Sequence, residues 1–425
     1  MYIAILGRQP GLSMAELESR FGAENTRWFS SDAATVNGDA FPIEQFGGTL
    51  KAGKITLQLQ RNNWKQASQA IIAAYSRQWS NHEGKITLGI SAYGFDVSPR
   101  DVQQIGIFIK KNLKKNGVSL RLIPNADEAL STATSHHNKL GLSPNKIELL
   151  IVRSEAGKVI VAESNGAQNI TALAARDQAR PKRDAFVGML PPKLALIMVN
   201  LAIGALKSSA DGASETSAAR VSPAAYERET RSEAVEEDFV GQKTDLRLLD
   251  PFCGTGVILQ EAALLGLNVY GTDLSEKMIR YSEENLKWLE KTHHVKVDTS
   301  LHEGDAMTTT WQQPIDLVAS ETYLGQPFSA PPSPKKLEEV KGNVNHITTT
   351  FLKNIRSQLT AGTPLCLAVP AWRDASGHIT HLPFIRSIEE LGFQPVSFKN
   401  VSQNDLIYYR EDQVVARELL VLVSS

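Results

Sequence analysis

The residues best suited to chemistry in this chain sit in one run, Leu248-Leu249-Asp250-Pro251-Phe252-Cys253-Gly254-Thr255-Gly256. An apolar strand ends in an acid and passes into a glycine-containing turn. The apolar segment Gly256 to Leu265 then reads as a helix. Gly254 and Gly256 carry no Cβ, so a ligand can approach the backbone of the turn closely. One strand later, Val269-Tyr270-Gly271-Thr272-Asp273 ends in a second acid, suited to accept hydrogen bonds from ribose hydroxyls. Glu303-Gly304-Asp305-Ala306 brings a third, Asp305, as a candidate holder of an adenine amino group. A turn followed by two further strand-end acids argues for cofactor binding rather than a plain connection. A dinucleotide is the weaker choice. Leu259 stands where the pyrophosphate fingerprint Gly-x-Gly-x-x-Gly needs its third glycine.

These residues need a parallel sheet to hold them. From Leu246 onward, strands and helices alternate: Arg247 to Asp250, Gly256 to Leu265, Val269 to Asp273, Ser275 to Lys291. That βαβ order predicts a doubly wound α/β sheet of Rossmann type. Upstream, the pattern predicts a small α+β unit over 1–80. It has a strand at Tyr2 to Leu6, a helix capped by Ser13 with Glu16 three residues on, strands at Gly48 to Ala52 and Ile55 to Leu59, and a helix across Trp64 to Tyr75. A second unit, 81–170, opens with the alternation of Ile86, Leu88 and Ile90. Ser98-Pro99 then starts a helix that stops at Gly117. Strands follow at Val118 to Ile123, Lys146 to Val152 and Lys158 to Glu163, with a helix-like stretch near Ala126 to Leu140. The third unit is 171–425. Within it, 208–244 is rich in Ala, Ser, Glu and Arg, which predicts an exposed, mobile insertion.

Composition narrows the classes. A chain of 425 residues divides into two or three domains. The formal net charge of −1 gives no global attraction to nucleic acid, so any such binding must be local. Two distant cysteines, Cys253 and Cys366, exclude a disulfide framework and a cysteine zinc site, and fit a reducing cytoplasm. Gly7, Arg8 and Gln9 interrupt the apolar start before a secretory core forms. The segment Leu194 to Leu206 falls short of a membrane span and reads as a buried helix. The histidine pairs lack companion ligands, so no metal is expected.

Asp250 to Glu261, Asp-Pro-Phe-Cys-Gly-Thr-Gly-Val-Ile-Leu-Gln-Glu, resembles the cofactor motif of class I RNA methyltransferases, and of the THUMP-domain tRNA guanine-N2 methyltransferases in particular. Arg176-Asp177-Gln178-Ala179-Arg180-Pro181, followed by Gly188-Met189-Leu190-Pro191-Pro192-Lys193-Leu194-Ala195, is similar to the segment joining the two domains in that family. The unit from Lys85 to Glu163 is similar in pattern to THUMP. The resemblance implies S-adenosylmethionine as cofactor, a tRNA or other structured RNA as partner, and a guanine amino group as target. It implies that Asp250, Gly254 and Gly256 line the methionine part, Asp273 the ribose and Asp305 the adenine, with Pro251 and Cys253 also at the cofactor.

The chain departs from the family at the fourth strand. Members carry Asp-Pro-Pro-Tyr, whose acid accepts from the target amine and whose ring stacks on the base. Here the run is Asp316-Leu317-Val318-Ala319-Ser320-Glu321-Thr322-Tyr323-Leu324-Gly325, without either proline. Aligning on Tyr323 makes Ser320 the acceptor, and aligning on the acid makes it Glu321. For RNA contact, Lys110, Lys111, Lys114 and Lys115 crowd one helix, with Lys110 and Lys114 sharing a face and Lys111 and Lys115 another. Arg176, Arg180 and Arg183 form a second basic cluster, and both clusters are candidates for phosphate contact. Two other readings stay open on these residues: a DNA amino-methyltransferase, and a non-catalytic RNA binder that keeps the fold.

Overall fold

The protein is described from a computed structural model over residues 1–60, 63–184, 190–210, 243–328, 330–374 and 376–425. The insertion expected at 208–244 lies outside the described residues except at its ends. The N-terminal elements are β1 (Tyr2–Leu6), α1 (Pro10–Phe21), β2 (Thr26–Ser30), β3 (Ala33–Val36), β4 (Thr49–Leu59), α2 (Trp64–Gln78), β5 (Lys85–Tyr93), α3 (Pro99–Lys114), β6 (Ser119–Leu122), α4 (Thr132–His137), β7 (Lys146–Arg153), β8 (Val159–Ala167) and α5 (Ile170–Ala174). Their strands form one eight-stranded sheet in the order β2-β3-β1-β4-β8-β7-β5-β6.

That sheet crosses the boundary expected near residue 80. β4 is one strand of eleven residues where two were expected, and it pairs along most of its length with β8. A buried ion pair adds to the join: Lys51 Nζ on β4 lies 2.5 Å from Glu148 Oε1 on β7, and Ser91 on β5 donates to the same oxygen. Two sequence expectations change here. The stretch from Ala126 to Leu140 holds only the short α4, and β2 and β3 were not foreseen. Ser13 is no cap either, because α1 begins at Pro10 and Ser13 instead donates to Gly48 O at 2.8 Å.

The C-terminal elements are α6 (Pro192–Ala210), β9 (Arg247–Asp250), α7 (Val257–Leu264), β10 (Asn268–Asp273), α8 (Glu276–His293), β11 (Thr299–Glu303), β12 (Leu317–Glu321), α9 (Pro334–Arg356), β13 (Pro364–Arg373), β14 (Ile379–Thr380), β15 (Phe393–Pro395), β16 (Ile407–Tyr408) and β17 (Val415–Ser424). The main path of the second sheet is β11-β10-β9-β12-β13-β17-β15. β9 to β13 pair in parallel, and β17 runs antiparallel to β13. The carboxyl ends of β9, β10 and β12 therefore share one edge, where such sheets bind ligands.

α6 is the buried apolar helix expected from Leu194 to Leu206, and it joins the two sheets. Its side chains share one core with Leu12 and Ala15 of α1 and with β9, α7, β12, β13 and β17. Its interior asparagine, Asn200, donates to Glu16 Oε1 at 2.7 Å and to Gln45 O at 2.8 Å. Glu16 also accepts from the backbone of Gly47 and Gly48, both at 2.8 Å. Among the described residues, no helix is long and apolar enough to cross a membrane, and no group of three or more His, Cys, Asp or Glu is arranged to hold a metal ion.

Asn200→Ala strips one donor from a buried carboxylate and leaves Gln45 O unpaired. It should destabilise the protein by about 1–3 kcal/mol. Urea unfolding measures this, and a loss within error of zero would mean that the network does not hold the two halves together.

Candidate active site

Asp250 closes β9 and is 1% exposed. Its Oδ1 accepts from Ser320 Oγ at 2.6 Å and from Phe252 N at 3.3 Å. Burial pushes its pKa up to about 7; the two hydrogen bonds pull it down, and the nearby Asp273 and Glu321 charges add to the rise. Asp273 closes β10. Its Oδ2 accepts from Gly254 N at 3.0 Å and its Oδ1 from Ser275 N at 2.9 Å. Burial raises its pKa as well, against both bonds. A carboxylate offers about four acceptor positions, so these two bonds leave room for further donors. Asp305, half-buried beyond β11, accepts from Met307 N at 2.9 Å.

The turn between Asp250 and α7 needs its glycines. Gly254 has φ +51° and Gly256 φ +79°, the left-handed region that other residues enter at a cost. A Cβ on Gly256 would also stand 2.9 Å from Ser282 Oγ. α8 fastens the turn from behind: Ser282 donates to Gly254 O and Asn285 to Thr255 O, both at 2.8 Å. Asn285 also bonds both backbone groups of Lys182, so the segment ahead of α6 runs beside the turn. Sequence reasoning missed Ser282 and Asn285. Their signal is two buried polar residues on the apolar stripe of α8, between Met278 and Leu289. Pro251 and Cys253 are buried within the turn, and burial holds the Cys253 thiol well above its usual pKa, which makes it a packing residue.

The fourth-strand residues divide. Ser320 is fully buried and its hydroxyl is committed to Asp250, so it lies beneath the edge and does not face outward. Glu321 reaches the edge, where its Oε1 accepts from Arg417 Nε at 2.6 Å. Arg417 lies on β17, beyond β13, and nothing near Glu321 in sequence announces it. Thr322 N donates to Ala368 O at 3.0 Å, which holds the chain extended past the strand end. Tyr323 follows, 41% exposed. Gly325 then turns at φ +82°, with α9 so close that a Cβ would meet Val340 Cγ1 at 2.8 Å.

The basic residues also separate. Lys110, Lys111, Lys114 and Lys115 are exposed on α3, on the first sheet. Arg176 and Arg180 are buried, which corrects the expectation of a second phosphate-facing cluster. Arg176 forms a two-pronged ion pair with Glu261 of α7, at 2.7 and 3.2 Å. A guanidinium drawn inside by a buried carboxylate is unavailable to solvent. Arg180 is 3% exposed, with Nε and Nη1 lacking hydrogen-bond partners and a pKa lowered by burial. Arg183 alone of the three is exposed.

The sheet order, the glycine turn and the strand-end acids together are those of a Rossmann-like methyltransferase domain. Residues 242–381 match a family described as a methyltransferase domain. The chain is 28% identical over 200 residues to a tRNA (guanine(10)-N2)-dimethyltransferase of Methanothermobacter thermautotrophicus, covering 47% of this chain and 44% of that one. It is 31% identical over 101 residues to a probable enzyme of the same name from Methanothermococcus thermolithotrophicus, covering 24% of this chain and 62% of that one. The chain therefore matches less than two thirds of the length of either relative. The crystallised TrmN of Thermus thermophilus shares the fold over 100% of this chain and 99% of its own, with a TM-score of 0.50 and 15% identity.

The raised pKa of Asp250 has a stability consequence. Between about pH 4 and about 7 the folded protein keeps a proton that the unfolded chain has released. The stability from that protonated carboxyl is complete below about pH 4 and is lost as pH rises through about 7. Asp250→Asn keeps an acceptor for Ser320 and should exceed wild type in stability at pH 8 by about 1–4 kcal/mol, with the gap closing toward pH 4. Chemical unfolding across that range checks it; a gap independent of pH would mean that Asp250 titrates normally.

Proposed function

We propose that this protein transfers a methyl group from S-adenosylmethionine to the exocyclic amine of a guanine in structured RNA, with tRNA as substrate, in the cytoplasm. One observation carries the reading. Asp250, Asp273 and Glu321 end three strands at one edge of the sheet, and a left-handed glycine turn lies between the first two. The guanine-N2 activity named for the two archaeal relatives supports the choice of target.

The cofactor supplies an electrophilic methyl group on its sulfonium. The chain supplies placement. The glycine turn and an ionised Asp250 suit the methionine end, with its ammonium. Asp273 suits the ribose hydroxyls and Asp305 the adenine amine. Glu321 has one oxygen held by Arg417 and keeps Oε2 for the target amine, while the exposed ring of Tyr323 offers a stacking face for the base. Orienting the amine lone pair at the methyl group, in a fixed field of carboxylates, accounts for most of the acceleration. The unusual fourth motif and the Arg417 bond to Glu321 favour, as a second reading, an RNA binder that no longer transfers methyl groups.

Asp273→Ala should weaken S-adenosylmethionine binding by about 1.5–3 kcal/mol in calorimetric titration, since it removes charge-assisted bonds. Wild-type affinity should rise between pH 6 and 8 as Asp250 ionises, and Asp250→Asn should flatten that rise. Unchanged affinity in the first variant, or no slope in wild type, counts against the site.

Methyl transfer to unmodified tRNA, read by nucleoside mass spectrometry, tests the reaction. Tyr323→Ala should abolish turnover while leaving cofactor affinity intact, because the ring meets only the base. Glu321→Gln should cause a large loss if its carboxylate accepts from the amine. Wild-type protein that binds both ligands yet transfers nothing decides for the second reading.

A further inference from the structure

Arg417 comes to the strand-end edge from β17, and most of its hydrogen-bonding capacity is unspent. Its side chain is 9% exposed and that of Glu321 13%. Its Nε donates to Glu321 Oε1 at 2.6 Å, and this is its one hydrogen bond among the described residues. Neither Nη nitrogen is sealed from solvent without a partner, so both reach water with four N–H groups unused. Glu321 Oε2 is open in the same way. Arg176 behaves differently. It grips Glu261 with two prongs, the fork that a purely structural ion pair makes. Arg417 gives Glu321 one donor and keeps its outer end free.

The sheet register explains how the pair forms. Glu321 ends β12 beside Ala368 of β13, and Arg417 lies beside Pro370, two residues further along the same strand. All four residues share one face of the sheet. The small Ala368 and the ring of Pro370 leave Arg417 room to reach across β13. The result is an acceptor and a fork of donors side by side at the edge. Guanine presents two adjacent donors, N2–H and N1–H, and then an acceptor, O6, along its Watson–Crick edge. Enzymes that act on an extruded base read that edge.

We propose that Arg417 is a specificity-determining residue that reads the target base together with Glu321. The carboxylate accepts from N2–H at Oε2 and from N1–H at the second lone pair of Oε1, while an Nη–H of Arg417 donates to O6. The assignment rests on the guanine-N2 reading proposed above and adds the group that tells guanine from another 2-aminopurine. A base with an amine at position 6 turns a donor toward the cation and leaves the guanidinium unpaired, which is how a polar site rejects an analogue.

Fragment mass spectrometry of the wild-type product locates the guanosine that is methylated. A ligated tRNA with 2,6-diaminopurine at that position keeps the 2-amino group and replaces O6 by an amine; a base paired to it is changed to uracil to keep the pair. Wild-type kcat/KM should be lower on this tRNA than on the guanosine form, on the order of tenfold to a hundredfold. Arg417→Gln, whose amide both donates and accepts, should bring the ratio to about one. Arg417→Lys keeps a donor and should keep the preference. Equal turnover of the two tRNAs by wild type overturns the proposal and leaves the methyltransferase reading standing. So does a ratio unchanged in Arg417→Gln, because loss of a purely structural ion pair lowers both substrates alike. An Arg417→Gln variant that fails to fold leaves the wild-type comparison to decide. Wild type that methylates neither tRNA removes the guanine-N2 reading, and this assignment with it.

Discussion

A helix with apolar side chains on every face must be covered on every face, and α6 sets that requirement for the whole chain. Leu194 to Ala205 bring almost no polarity to the interior apart from Asn200, so the helix is stable only where protein surrounds it. α1 covers one side, and α7 with β12, β13 and β17 covers the others. Asn200 then imposes a second requirement, because its amide needs partners in a water-free place. Glu16 and Gln45 from the N-terminal half meet it. The two sheets are thus joined by burial and by a specific polar contact.

The acidic edge itself is held against electrostatic cost. Burial raises the pKa of Asp250 and of Asp273, and at Asp250 the nearby charges of Asp273 and Glu321 add to the rise. Compensation comes from short, local bonds: Ser320 to Asp250, Gly254 and Ser275 to Asp273, and Arg417 to Glu321. Each acid keeps acceptor capacity after those bonds are made. A site that must receive an ammonium, ribose hydroxyls and an amine needs that surplus of acceptors. Ser282 and Asn285 fix the glycine turn from behind through its backbone carbonyls.

The structure changed the reading of particular residues for identifiable reasons. Arg176 and Arg180 look like surface cations in a polar segment, but a buried carboxylate 85 residues beyond Arg176, Glu261, draws that segment inward against α7. Ser320 was one of two candidate acceptors in the sequence. Parallel pairing of β12 with β9 sets its buried hydroxyl against Asp250, to which it donates, and Glu321 follows at the strand end. Ser13 and Glu16 have the spacing of a capping box, yet Pro10 starts the helix a turn earlier. Both side chains then serve the backbone of Gly47 and Gly48 instead. The unit boundary near residue 80 was invisible as a join, because strand pairing between β4 and β8 depends on residues a hundred positions apart.

The sequence by itself determined the parts that depend on near neighbours. Alternation of apolar residues marked β5, and apolar runs ending in an acid marked β9 and β10. Gly-x-Gly after an acid marked the turn, and four lysines at helical spacing marked the cationic face of α3. These follow from backbone preference and periodicity, which act over a few residues. Tertiary structure alone decided which of the charged groups face water and which face each other. Arg417 meets Glu321 from the far side of β13, Asn200 meets Glu16, and Phe108 stays outside while Ile105 and Ile109 are buried beneath it. Burial and pairing are properties of the whole packed chain, since a charge is stable inside only where a distant partner arrives to meet it.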